Sequence, residues 1–93
     1  MSRVRIFTRR GDRYSEKALT FLDEMGIPYD EIDITESVEG EEAMAEAASG
    51  AHSTPQIFID GEHLGGLEEL IEEDGQGRLA MRLASGIEAP SPG

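Results

Sequence analysis

Near the start of the chain the spacing of apolar positions changes once, and the change places two elements. Val4 and Ile6, with Phe7 beside them, make a short β-branched and aromatic run in RVRIFT that predicts a buried first strand. From Ser15 to Met25 the residues Ala18, Leu19, Leu22 and Met25 recur at three and four, with Phe21 widening the stripe. That spacing predicts a helix, stopped by Gly26 and barred from continuing by Pro28. YDEIDI, residues 29–34, then alternates and predicts a second strand with Ile32 and Ile34 inward. VEGEEAMAEAAS is rich in Ala and Glu and predicts a second helix, with Val38, Ala43 or Met44, and Ala47 on its apolar side. TPQIFIDGEHLGG carries the clearest hairpin signal, because IFI is followed by Asp60-Gly61, a pair suited to positive φ at a tight turn, and then by EHL. GLEELIEED places Leu67, Leu70 and Ile71 at helical spacing as expected core contacts, with Gly75 as the break. A last helix from Gly77 to Leu83 offers Leu79 and Leu83, and residues 85–93 read as a frayed tail.

The resulting order is strand, helix, strand, helix, strand, strand, helix, with one more helix after it. It predicts an α/β domain in which a parallel βαβ crossover meets an antiparallel hairpin, giving a four-stranded mixed sheet flanked by helices. At 93 residues the chain has room for one domain, assigned to residues 1–84. Neither 18 consecutive apolar residues nor a signal-peptide layout is present, so the expectation is a soluble, cytoplasmic protein away from membranes.

Charge and cysteine count narrow the chemistry. A net charge of −12 argues against non-specific nucleic-acid binding. The cations nevertheless crowd one end: Arg3, Arg5, Arg9, Arg10, Arg13 and Lys17 face only Asp12 and Glu16, so a small anion would approach there. Cysteine is absent, which removes disulfides, thiolate catalysis and cysteine-held metal. His52 and His63 stand in no recognised ligand spacing, and the carboxylates of EGEEAMAEAA meet no histidine, so no metal site is expected.

One stretch, TRRGDRYSEKA, lies between the first strand and the first helix, where α/β folds often keep their chemistry, yet it holds no evident nucleophile. Its place becomes clear from TPQIFIDGEHLGGLEEL. Ser53-Thr54-Pro55-Gln56-Ile57-Phe58-Ile59, followed by Gly65-Gly66-Leu67-Glu68-Glu69, resembles the T-V-P-Q-[IV]-F-[IV] run and later Gly-Gly-acidic segment of glutaredoxins. MGIPY and YDEIDI resemble the family's G-[IV]-x-[YF]-x-E-[IV]-D pattern, so the likeness spans roughly residues 3–84 and implies a thioredoxin-like fold. Aligned from that anchor, VRIFTRRGDRYS falls where the family has a strand and then T-K-x-x-C-P-Y-C. Thr8, Arg9 and Tyr14 match, whereas Asp12 and Ser15 take the places of the two cysteines and Arg13 that of the proline.

The resemblance implies a glutathione groove built from Arg9, Tyr14, Thr54, a cis Pro55, Gln56, Gly66, Leu67 and Glu68, with Arg13 adding charge. Thr54 departs from the usual valine. It also implies lost redox chemistry, since disulfide exchange needs sulfur attacking sulfur, and lost iron–sulfur ligation. Asp12 is expected to cap the first helix instead. The expected function is therefore a redox-inactive module that binds glutathione, another small anion or a protein partner, with no catalytic residue and no cofactor beyond glutathione as ligand. The alternatives are a glutathione-transferase-like enzyme using Ser15 or Tyr14, and a cysteine-free engineered scaffold. Arg10-Gly11-Asp12 also spells an adhesion tripeptide, which has no support in a chain read as cytoplasmic.

Overall fold

The computed structural model describes residues 2–88. Its sheet has the order β2-β1-β3-β4, with β1 (Val4–Thr8) and β3 (Gln56–Ile59) central and β2 (Asp30–Asp33) and β4 (Glu62–Gly65) at the edges. β1 runs parallel to β2 and antiparallel to β3, and β3 runs antiparallel to β4, so the expected mixed sheet is present. The βαβ crossover needs a helix, and α1 (Arg13–Glu24) supplies it. Alternation along β1 sends Val4 and Ile6 to one face, where they meet Ala18 and Leu22 of α1, Ile57 and Ile59 of β3, and Leu70 and Leu79. The last two come from α3 (Leu67–Gly75) and α4 (Arg78–Glu88). Phe7 points to the opposite face and joins Ile34, Met44, Ala48 and Phe58 under α2 (Val38–Ala47), with the Phe7 and Phe58 rings edge to face at 5.7 Å.

The Asp60-Gly61 turn behaves as its residues suggest: both adopt positive φ, 54° and 83°, closing a two-residue hairpin. α1 starts at Arg13 rather than Ser15, because Asp12 caps it. Ile32 and Ile34 face inward, but Ile34 lies just past β2, its amide bonded to the Thr8 carbonyl at 2.8 Å. α2 corrects the expected apolar side. Val38 is 72% exposed, and Ala43 and Ala47 are exposed too, while Met44 and Ala48 carry the packing. Ile71 is likewise no core contact but 50% exposed, since neighbouring Leu70 takes the inward position on α3. α3 retains Gly75 as its last residue, and α4 continues through Glu88, past the boundary at 84; residues 89–93 of the expected tail lie outside the described residues. Arg3 ties these parts together, its guanidinium donating to Asp60 at 2.8 and 2.9 Å and to the Arg82 carbonyl at 2.9 Å. Among the described residues, no helix is long and apolar enough to cross a membrane.

Candidate functional site

A helix start leaves backbone N–H groups without partners, and the first turn of α1 gives its own to Asp12. The Asp12 backbone is extended (φ −84°, ψ 120°), which brings its side chain back over the helix. Oδ1 accepts from the Tyr14 amide at 3.3 Å, and Oδ2 from the Ser15 amide at 3.2 Å and the Ser15 hydroxyl at 2.8 Å. A fourth donor crosses from the far side of the site: the Thr54 hydroxyl meets Oδ2 at 2.6 Å. Ser15 is only 1% exposed, and its oxygen also accepts from the Arg9 amide at 3.2 Å. The carboxylate thus pins the helix start to the loop before β3.

Desolvation pushes the Asp12 pKa up, but bonds from the Thr54 and Ser15 hydroxyls and from the Tyr14 and Ser15 amides outweigh it, holding the group below its ordinary 3.8. The folded carboxyl therefore releases its proton more readily than the unfolded one, and the unfolded chain binds more protons across the range between them. The resulting stabilisation is complete above about pH 5 and fades as pH falls through the folded value. Asp33, held low by Thr35, and Asp60, held low by Arg3, act in the same direction. Because an Asp12→Asn variant keeps those two groups, comparing its denaturation with wild type isolates Asp12. Wild type should lose more stability between about pH 5 and pH 3, and equal losses would contradict the assignment.

The loop that Thr54 belongs to turns through a cis Thr54–Pro55 bond, and Pro55 is buried. Opposite it, Gly65 takes φ 132°, and a side chain there would strike Glu69 at 2.7 Å. The Glu69 carboxylate turns back instead to accept from the Gly66 amide at 2.8 Å, which satisfies one N–H at the start of α3. A Cβ at Gly66 would sit 3.3 Å from the Pro55 carbonyl, so glycine allows the two segments their close approach. Between them runs an open groove of about 770 Å³.

The structure brings Tyr14, Thr54, Pro55, Gln56, Gly66, Leu67 and Glu68 together along this groove. Arg9 and Arg13 are not among its lining residues. Arg9 turns to Glu41 at 3.4 Å and to the His52 carbonyl at 3.5 Å, while Arg10 pairs with Asp33 at 3.7 Å. Half of the cations at the positive end expected from the sequence, Arg3, Arg9 and Arg10, are thus answered by the chain's own carboxylates, and the groove walls carry Glu68 and Glu69 rather than arginine or lysine. Sequence reasoning missed His63 and Ile71, which also line the groove. Gln56 donates to the Ser53 carbonyl at 3.0 Å, so its oxygen faces His63 Nε2 at 2.7 Å and assigns the proton to that nitrogen. The His63 ring stacks on Phe58 at 4.9 Å, as their opposed places in the β3–β4 ladder require. The available signal for His63 was that hairpin register, fixed by the Asp60-Gly61 turn. Among the described residues, no group of three or more His, Asp and Glu side chains converges as a metal site.

A thioredoxin-like sheet whose first helix begins against a cis-proline loop defines the class of the protein. The glutaredoxin family profile matches residues 4–64. A probable glutaredoxin of Synechocystis sp. is 37% identical over 84 residues, covering 90% of this chain and 96% of its own. The solution structure of a glutaredoxin from Brucella melitensis superposes with a TM-score of 0.78 at 36% identity, covering 92% of each chain. The crystal structure of a buckwheat glutaredoxin–glutathione complex gives 0.80 at 23% identity, covering 90% of this chain and 78% of that one, a likeness of fold alone. The chain belongs to the glutaredoxin family, as a member without cysteine.

Proposed function

We propose that this glutaredoxin is a redox-silent binding module whose groove holds reduced glutathione in an extended form. The observation that carries the reading is the Asp12 carboxylate, fastened by four donors at the helix start beside the cis-proline loop, in a chain with no cysteine sulfur to exchange. The groove beside it supports the ligand. The start of α3 at Leu67 and Glu68 offers free backbone amides, suited to a carboxylate, next to an exposed Glu68 side chain suited to an ammonium. A glutathione complex of a protein with the same fold is consistent with this use. Transferase-like chemistry through Ser15 finds less support, because the Ser15 hydroxyl is buried and already both donates to Asp12 and accepts from Arg9.

A second reading rests on Tyr14 and Ile71, which are 56% and 50% exposed at the groove. Apolar side chains of that size standing out beside a groove suit a segment of a protein partner. Calorimetry with reduced glutathione is expected to give saturable uptake in the millimolar range, and the chain is expected to add nothing to the uncatalysed reduction of a glutathione mixed disulfide. Turnover above that background contradicts redox silence; absence of uptake removes glutathione and leaves the partner segment.

A further inference from the structure

We propose that the groove takes glutathione with its thiol protonated and discriminates against the thiolate. The inference rests on the glutathione reading and adds which ionisation state the site selects. In a cysteine-bearing site, the positive end of a helix favours a bound or attached sulfur anion. Here that end already faces a full carboxylate charge, since the amides of Tyr14 and Ser15 both donate to Asp12.

The two Asp12 oxygens are unequally used. Oδ2 receives three donors, from the Ser15 amide and from the Ser15 and Thr54 hydroxyls, which fills it. Oδ1 receives only the Tyr14 amide at 3.3 Å and keeps acceptor capacity. Thr54 and the start of α3 line the same groove, so a tripeptide with one end at Leu67 and Glu68 reaches Thr54, and Thr54 stands one short hydrogen bond in front of Asp12, which is not itself a lining residue. A side chain placed at Thr54 comes close to an anion with room for one more donor. A neutral S–H can donate; a thiolate cannot, and is repelled.

The surrounding charges do not reverse this. Just past β1, Arg9 pairs with Glu41 of α2 beside the His52 carbonyl, and Arg10 pairs with Asp33, the last residue of β2. From α3 come Glu68 and the Glu69 carboxylate that caps Gly66, and from β4 comes His63, hydrogen-bonded to Gln56. On α1 itself, Tyr14 and Glu16 are exposed, and Arg13 and Lys17 are exposed cations outside the ion pairs formed among the described residues. Exposed cations in water screen a partly enclosed carboxylate only weakly.

The test compares glutathione with S-methylglutathione, which keeps both carboxylates and the ammonium but has no ionisable thiol. The ratio of their affinities, measured by calorimetry on the full chain at pH 6.5 and pH 9.5, isolates the thiol from every other titrating group. With a free thiol pKa of about 8.5, exclusion of the thiolate lowers glutathione's relative affinity roughly tenfold across that interval. In an Asp12→Asn variant the fall is expected to shrink to twofold or less, on the order of the residual field. Glutathione uptake with a constant ratio overturns the inference and leaves the binding reading standing. An undiminished fall in the variant overturns the role given to Asp12, and no uptake of either compound at either pH overturns both the inference and the reading.

Discussion

The Asp12→Ala variant is expected to be about 2 to 3 kcal/mol less stable than wild type, which is a large change for one partly exposed side chain. Loss of an N-cap aspartate costs about 0.5 to 2 kcal/mol. Two further donors lose their acceptor at once, the Ser15 hydroxyl, 1% exposed, and the Thr54 hydroxyl from the opposite segment. Leaving a buried donor unsatisfied costs about 1 to 3 kcal/mol, softened here because the site is open enough for water to reach Thr54. For a domain of this size the melting temperature should drop by roughly 10 to 20 °C. Urea and thermal denaturation read this directly. A Thr54→Val change combined with it completes a double-mutant cycle, and the two effects should fall short of additivity because they share one hydrogen bond. A loss under about 0.5 kcal/mol for Asp12→Ala would place the carboxylate in solvent and remove the network from the account.

The second large effect is a gain. Asp12→Cys puts a thiol among the same donors, at the positive end of α1 and near the exposed Arg13. Those groups stabilise the thiolate, so its pKa is expected to fall roughly two units or more below the ordinary value of about 8.5, as pH-dependent alkylation with iodoacetamide would show. The variant should also turn over a glutathione mixed disulfide where wild type stays at background. The new thiolate attacks the glutathionyl sulfur, the substrate's own thiolate leaves, and free glutathione then attacks the protein-bound disulfide, releasing oxidised glutathione and restoring the thiol. A cysteine titrating near its free value, with no turnover, would mean that the scaffold around Asp12 no longer supports the family's chemistry.

Local chemistry made much of the fold legible in the sequence. Val4, Ile6 and Phe7 told the buried strand β1 and Asp60-Gly61 told the hairpin, whereas the cap at Asp12 came from the likeness to glutaredoxins and not from a local pattern. The face of α2 was not legible, because alanines at 43, 45, 47 and 48 surround that helix and leave its stripe undefined; only the depth of Phe7 and Phe58 selects Met44 and Ala48. Ile71 was misread for a related reason: Leu70 and Ile71 both fit a helical stripe, and in the packed fold Leu70 is buried in the core while Ile71 lines the groove.

The electrostatics of the site were the least visible part. Composition placed the cations at one end of the sequence, but their partners Glu41 and Asp33 come from the second helix and second strand, and only the packed sheet brings them within reach. The Thr54 hydroxyl at Asp12 is of the same kind, a contact across 42 positions of sequence that no local pattern encodes. Its existence changes the meaning of the departure from valine: a hydroxyl at position 54 is what a carboxylate at position 12 can use.

Backbone amide shifts during a titration with reduced glutathione at pH 6.5 test the central claim most directly, because they report binding and its place together. The account predicts saturable shifts at Tyr14, Thr54, Gln56, Gly66, Leu67 and Glu68, with the amides of Arg3 and Gly61 at the far end of the sheet unmoved. Shifts confined to that far end, or none at millimolar ligand, would contradict it.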